Sequence, residues 1–349
     1  MFMTLSNVPG GSSPTLTEVN LDEYANAHVL IIGDRMGKYL ETYKKQITDA
    51  LSVNTQQPIS VKIMAQDHYG LHRSIQLIKQ LKKIPPLIIY HGASEEEYER
   101  KFFATEIPLI LKNFELYRNS KVRTLLQFAP KVSKFIYKNV NRVKFKSILR
   151  EDKTPYNAQQ RLQEMELGYL LYESELEELA QEILSKNRHL IFINTPINFA
   201  VLPKRVCEYS TSNNIMAAQN QIFTIIQKGD YKDAFVRLKE LNNLAPGNAL
   251  TLGLLGQSAE HLGETGSATQ YYEQANSLDC QSWRSTPVHN AIMQKISDKY
   301  NLGLLDFYNI VARDLGQNIL FVDELHPQVI YYQKMVEELI KQIKKFLEL

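Results

Sequence analysis

Two clusters near opposite ends of the chain hold side chains whose type and spacing could do chemistry. In Phe321-Val-Asp-Glu-Leu-His-Pro327, Asp323 precedes His326 by three residues. A carboxylate at that spacing can take the Nδ1 proton of the imidazole and orient the ring. Near the start, Gly33-Asp34-Arg35 follows the apolar run Val29-Leu-Ile-Ile32. Arg35 cannot be a nucleophile, because a guanidinium stays protonated and has no lone pair to offer. It can bind an anion at a helix start, or pair with Asp34 or Asp323 and seal the site. A third group, His91-Gly-Ala-Ser94, ends another apolar run and brings in a hydroxyl.

These residues need elements to position them. Val29–Ile32 is short and β-branched, as in a strand buried on both faces. The Gly33-Asp34 turn leads into a helical pattern carrying Met36, Leu40, Tyr43, Ile47 and Leu51 on one face. Further strands are expected at Val61–Met64, Leu87–Tyr90, Leu190–Asn194 and Asn301–Asp306, with a helix over Leu71–Leu81 between the second and third. An amphipathic helix with Met335, Leu339, Ile343 and Phe346 closes the chain. This succession predicts an α/β fold with a doubly wound, mostly parallel sheet. Such sheets hold ligands at the carboxyl ends of their strands, which puts residues 33–36 at the mouth of a site.

Two stretches depart from that pattern. Arg118–Arg150 carries ten Lys or Arg, no Asp or Glu, and interleaved Phe128, Phe135, Tyr137 and Phe145. Met165–Ile183 is acidic and helical, so 118–186 reads as a basic then acidic helical insert. The halves either compensate each other or present an arm for a membrane surface or an acidic partner. Farther on, Gly229-Asp-Tyr-Lys-Asp-Ala234 recurs as Gly263-Glu-Thr-Gly-Ser-Ala268 at a step of 34 residues, and Leu241 and Ala275 keep that step. Thirty-four residues is the tetratricopeptide period. Residues 213–279 are therefore expected to form an all-α, repeat-like insert, with Tyr231, Tyr271 and Tyr272 as candidates for contacting a protein partner.

Composition excludes some roles. Forty Lys+Arg against 38 Asp+Glu leave a net charge of +2, so no whole-molecule field favours nucleic acid. Cys207 and Cys280 are far apart without metal-ligand spacing and suit a reduced compartment. No metal site and no cofactor is expected. Residues 1–27 read as a flexible segment around Pro9-Gly-Gly-Ser-Ser-Pro14, without a basic start or an apolar leader core. The expectation is a cytoplasmic protein as written, or a periplasmic or membrane-anchored one if an upstream segment precedes it.

Taken together, the Gly33-Asp34 turn and Asp323-Glu-Leu-His326-Pro327 resemble the SGNH/GDSL hydrolase family. The resemblance covers 28–200 and 281–349. It implies a flavodoxin-like sheet, with an insert of the kind some repeat-bearing members carry. It also implies Asp323 and His326 as a remnant dyad, and Gly70 with Gly92 and Ser94 as the oxyanion-forming or ligand-binding groups. Two signature groups differ: Arg35 stands at the nucleophilic serine, and Ser94 stands at the asparagine of the third block. The leading expectation is a catalytically degenerate protein of this class that assembles with a protein partner through its insert. The alternatives are an active acyl-ester hydrolase or O-acetyl transferase, and an anion-binding sensor.

Overall fold

The computed structural model describes residues 21–53, 55, 58–96, 107–112, 114, 158–203, 213–280 and 284–349. Strands β1 (Val29–Gly33), β2 (Val61–Ile63), β3 (Leu87–His91), β4 (His189–Ile193) and β5 (Gly303–Leu305) form one sheet in the order β2-β1-β3-β4-β5. All four pairings are parallel, with Val29 opposite both Val61 and Leu87. The chain builds outward from β1 to β2 and then crosses back to place β3 beside β1. That reversal opens a crevice at the carboxyl ends of β1 and β3.

Both faces of the sheet are covered, which is why its strands are apolar without alternation. Leu30, Ile32, Ile88, Tyr90, Leu190 and Phe192 point to one layer. That layer is built from α1 (Leu21–Ala25), α4 (Leu71–Gln80), α6 (Ala158–Leu184) and α11 (Pro287–Tyr300). Val29, Ile31, Leu87, Ile89, Ile191, Ile193 and Leu305 point to the other, built from α2 (Arg35–Tyr39), α3 (Lys44–Ser52), α12 (Phe307–Ala312) and α13 (Val329–Leu347). A short α5 (Ile107–Lys112) packs on α6 through Ile107, Ile110, Leu167 and Leu171.

Several expectations are corrected. The segment 1–27 is not flexible throughout: Leu21–Ala25 is helical, with Ala25 and Ala27 buried, because Ala25 joins the apolar layer over the sheet. Residues 1–20 lie outside the described residues. The helix expected after Asp34 is interrupted by a tight 3₁₀ turn at Leu40–Tyr43, although its apolar stripe stays on one buried face. The basic stretch 118–150 lies outside the described residues. On the acidic helix α6, Glu173 pairs with Lys295 at 2.8 Å, Glu177 with Lys299, and Glu178 with Lys79. These cations come from α4 and α11, which flank α6. Cys280 is disulfide-bonded, which corrects the expectation of a reduced cysteine there; Cys207 lies outside the described residues. No helix among the described residues is long and apolar enough to cross a membrane.

Between β4 and β5, α7 (Asn213–Gln227), α8 (Tyr231–Leu244), α9 (Ala249–His261) and α10 (Thr265–Ser277) pack successively on one another. They share a separate core with Ile197, Phe199 and Leu315 of the sheet unit. The small residue Gly256 lets the Tyr272 ring approach, since a Cβ there would lie 2.5 Å from Cδ1 of that ring. Tyr272 is consequently 2% exposed, with its hydroxyl donating to Glu260 at 2.7 Å. It is a core residue, which corrects its assignment to a contact surface. Tyr271 is half-buried beside Phe235, and Tyr231 stacks on His261 at 3.9 Å.

Candidate functional site

The crevice between β1 and β3 is closed by carboxylates. Asp34 caps the start of α2 and is 1% exposed. Its Oδ1 accepts from the Met36 N–H at 2.8 Å. Its Oδ2 accepts from the Ser94 N–H at 2.7 Å, the Ser94 hydroxyl at 2.8 Å and the Glu95 N–H at 3.1 Å. Burial and the neighbouring charge of Glu95 nonetheless push the Asp34 carboxyl up to about 7, against the pull of these hydrogen bonds. The loop that delivers the donors is strained, for Ala93 adopts φ +81° and is buried.

Glu95 is the centre of the site. It is 1% exposed, and its Oε1 lies 3.0 Å from Nη2 of Arg35. Its Oε2 accepts from the backbone N–H groups of Arg35 at 3.2 Å and His68 at 2.6 Å. The Arg35 Nε reaches Asp67 at 3.8 Å, and Asp67 also pairs with Lys38. Arg35 therefore pairs with Glu95 and Asp67, which corrects the expectation of Asp34 or Asp323 as its partner. Geometry explains the choice: the Asp34 carboxylate turns inward onto the β3 loop, and Asp323 belongs to a separate loop. The next residue, Glu96, accepts from the Leu71 N–H at 2.9 Å at the start of α4. Replacing the cation with an apolar stem in Arg35→Met should cost about 2 kcal/mol, since a buried carboxylate loses its charged partner while the part-exposed guanidinium is already screened. Urea unfolding of Arg35→Met, Glu95→Gln and the double variant checks it, and simple additivity of the two losses would show that the pair is not coupled.

The second cluster is intact as a pair. Nδ1 of His326 lies 2.8 Å from Oδ2 of Asp323, whose Oδ1 accepts the N–H groups of Leu325 at 2.8 Å and His326 at 2.6 Å. Burial pushes the Asp323 carboxyl up, but these hydrogen bonds outweigh it and hold it below its ordinary value. A bridge between Phe321 and Pro327 closes the loop, and the Asn198 amide donates to the Asp323 carbonyl at 2.9 Å. The ring of His326 packs 5.5 Å from that of Tyr39, at the end of α2. Tyr39 in turn lies 4.3 Å from buried Tyr332.

The structure thus gathers Asp34, Arg35 and Ser94 at the β1–β3 crevice, and Asp323 with His326 one helix turn along α2. His326 makes neither a hydrogen bond nor an ion pair with Arg35 or Ser94; its ring packs instead on Tyr39, the last residue of α2. Gly92 packs over Tyr90, where a Cβ would lie 2.7 Å from the ring hydroxyl, and its carbonyl accepts from Thr195 at 2.6 Å. Gly70 caps the start of α4, and its carbonyl accepts from Ser74. Sequence reasoning missed Glu95, Asp67, His68 and Tyr39. The signal for Glu95 was its place directly after Ser94, hidden by the acidic run 95–99 that reads as a solvated turn. Among the described residues no group of three or more His, Cys, Asp or Glu could hold a metal ion.

No family model matches the chain, and no curated protein matches it. Among solved structures it is similar to a lipase/acylhydrolase from Enterococcus faecalis, with 10% sequence identity over 91% of this chain and 96% of that one, at a TM-score of 0.39.

Proposed function

We propose that this chain is a catalytically degenerate protein of the SGNH/GDSL type, which serves a protein partner through its helical insert. The observation that carries the reading is the Arg35–Glu95 contact of 3.0 Å, where the residue standing at the nucleophile position is held by a buried carboxylate. The Ser94 hydroxyl at the same crevice is a poor substitute, because it is buried and already donates to Asp34. Acyl transfer needs an activated nucleophile within reach of a base, and His326 has neither Arg35 nor Ser94 as a partner. The insert supports the second half of the reading. Its helices α8 and α10 begin at Tyr231 and Thr265, which keeps the 34-residue step of tetratricopeptide repeats. Such short arrays bury their cores against a neighbour and leave a helical face for a partner.

A second reading, an active ester hydrolase, is favoured by the intact Asp323–His326 pair at 2.8 Å. One assay separates them. The full chain and His326→Ala are both expected to hydrolyse p-nitrophenyl acetate no faster than buffer. Turnover that vanishes in His326→Ala would establish the hydrolase and end the degenerate reading.

A further inference from the structure

A buried cation joins the helical insert to the loop that carries Asp323 and His326. Arg284, between the insert and α11, is 5% exposed. Its Nη1 donates to the carbonyl of Asn198, and its Nη2 donates to the carbonyl of Val201 and to Oδ1 of Asn276 on α10, each at 2.7 Å. Burial pulls its guanidinium down to about 10, while the charges of Asp279 and Glu324 act upward; Glu324 lies within the dyad loop itself. Asn276 is buried too, and its Nδ2 donates to the Tyr272 carbonyl at 2.8 Å. Asn198 passes the contact on. Its Oδ1 accepts from the Ala200 N–H at 3.0 Å, and its Nδ2 donates to the Asp323 carbonyl at 2.9 Å. Displacing any one of these groups leaves a buried donor or acceptor unmatched, so α10, the β4 loop and the dyad loop hold one another in a single arrangement.

We propose that Arg284 and Asn198 couple the insert to the dyad loop, so that a shift of α10 on binding a partner is transmitted to Asp323 and His326. The coupling does not depend on whether the dyad is catalytic, and it goes beyond the proposed function by linking the two halves of the molecule. Other contacts at the same junction bypass the route, among them the Tyr308 hydroxyl on Glu273 at 2.5 Å and the Phe199–Tyr272 stack at 5.0 Å. They supply the control that tells a specific link from general loosening.

The loop carries its own reporters, the N–H groups of Leu325 and His326 that donate to Asp323. Amide hydrogen exchange on the full chain should be about tenfold faster at both positions in Asn198→Ala and in Asn276→Ala, with the amides of β3 unchanged. Asn276→Asp, which keeps an acceptor for the guanidinium and gives up only the amide donor to the Tyr272 carbonyl one helical turn back, should restore slow exchange. Tyr308→Phe should leave both amides within about twofold of the parent rate. Should Asn198→Ala fail to fold, Asn276→Ala and its Asp rescue decide the matter. Unchanged loop exchange in folded Asn276→Ala, or equal acceleration in Tyr308→Phe, would overturn the coupling.

Discussion

Gly33→Ala should cost about 4 kcal/mol or more, enough to leave much of the protein unfolded or insoluble. Gly33 ends β1 at φ +137°, and a Cβ built there would lie 2.0 Å from the carbonyl oxygen of His91. Two penalties therefore coincide: a backbone conformation that L residues rarely adopt, and an overlap with the main chain of β3 that no side-chain rotation relieves. The close approach has a purpose. Gly33 faces His91 in the β1–β3 register, and one turn on, Gly37 approaches the same carbonyl, where a Cβ would lie 2.9 Å away. Those two glycines let α2 sit directly on the strand ends, which brings Asp34 within reach of the Ser94 loop. Gly168, in the exposed middle of α6, is the matched control, since a methyl group added there would meet nothing within 4 Å. Gly168→Ala should stabilise by about 0.5–1 kcal/mol, because it only removes the conformational cost of glycine in a helix. Urea unfolding of the two variants side by side checks the contrast, and a Gly33→Ala loss below about 1 kcal/mol would mean that β1 and β3 can part cheaply.

The parts that were legible from sequence are those whose cause is local. The strands announce themselves as apolar runs because both sheet faces are covered, and the helix signals between them point to parallel pairing. Asp323 and His326 are three residues apart, so their 2.8 Å contact is a property of one loop. The helix starts at Tyr231 and Thr265 are 34 residues apart, the same step as Gly229 and Gly263.

What stayed hidden depends on contacts between distant segments. Glu95 has the composition of a solvated turn, yet its ligands come from residues 35 and 68, and its neighbour Glu96 holds residue 71. Periodicity cannot see a carboxylate that folds back over three loops. Tyr272 shows the opposite error: an aromatic beside a repeat motif suggests a contact surface, but the gap left by Gly256 draws it into the core. Arg284 likewise looks like a surface cation until α10, Asn198 and Val201 close around it.

Asp34 makes the stability of the fold sensitive to pH in the neutral range. Its carboxyl is pushed from 3.8 to about 7 by burial first and by the charge of Glu95 second. Because the folded state binds the proton more tightly than the unfolded chain, its stabilising contribution is complete below pH 3.8 and is lost as pH rises to about 7. A rise of about three pH units corresponds to roughly 4 kcal/mol across that window. Asp34→Asn removes the titration while keeping one acceptor, at the cost of turning an amide donor toward the N–H groups of Ser94 and Glu95. The variant should thus be destabilised at pH 4 and progressively less so, relative to the parent, towards pH 8. Urea unfolding of both proteins across that range reports Asp34 together with its coupling to Glu95, since the titrations of groups not coupled to it cancel in the difference. A constant difference would show that the hydrogen bonds from Met36, Ser94 and Glu95 keep Asp34 ionised throughout. A sloping one means that the residue capping α2 changes charge near neutrality.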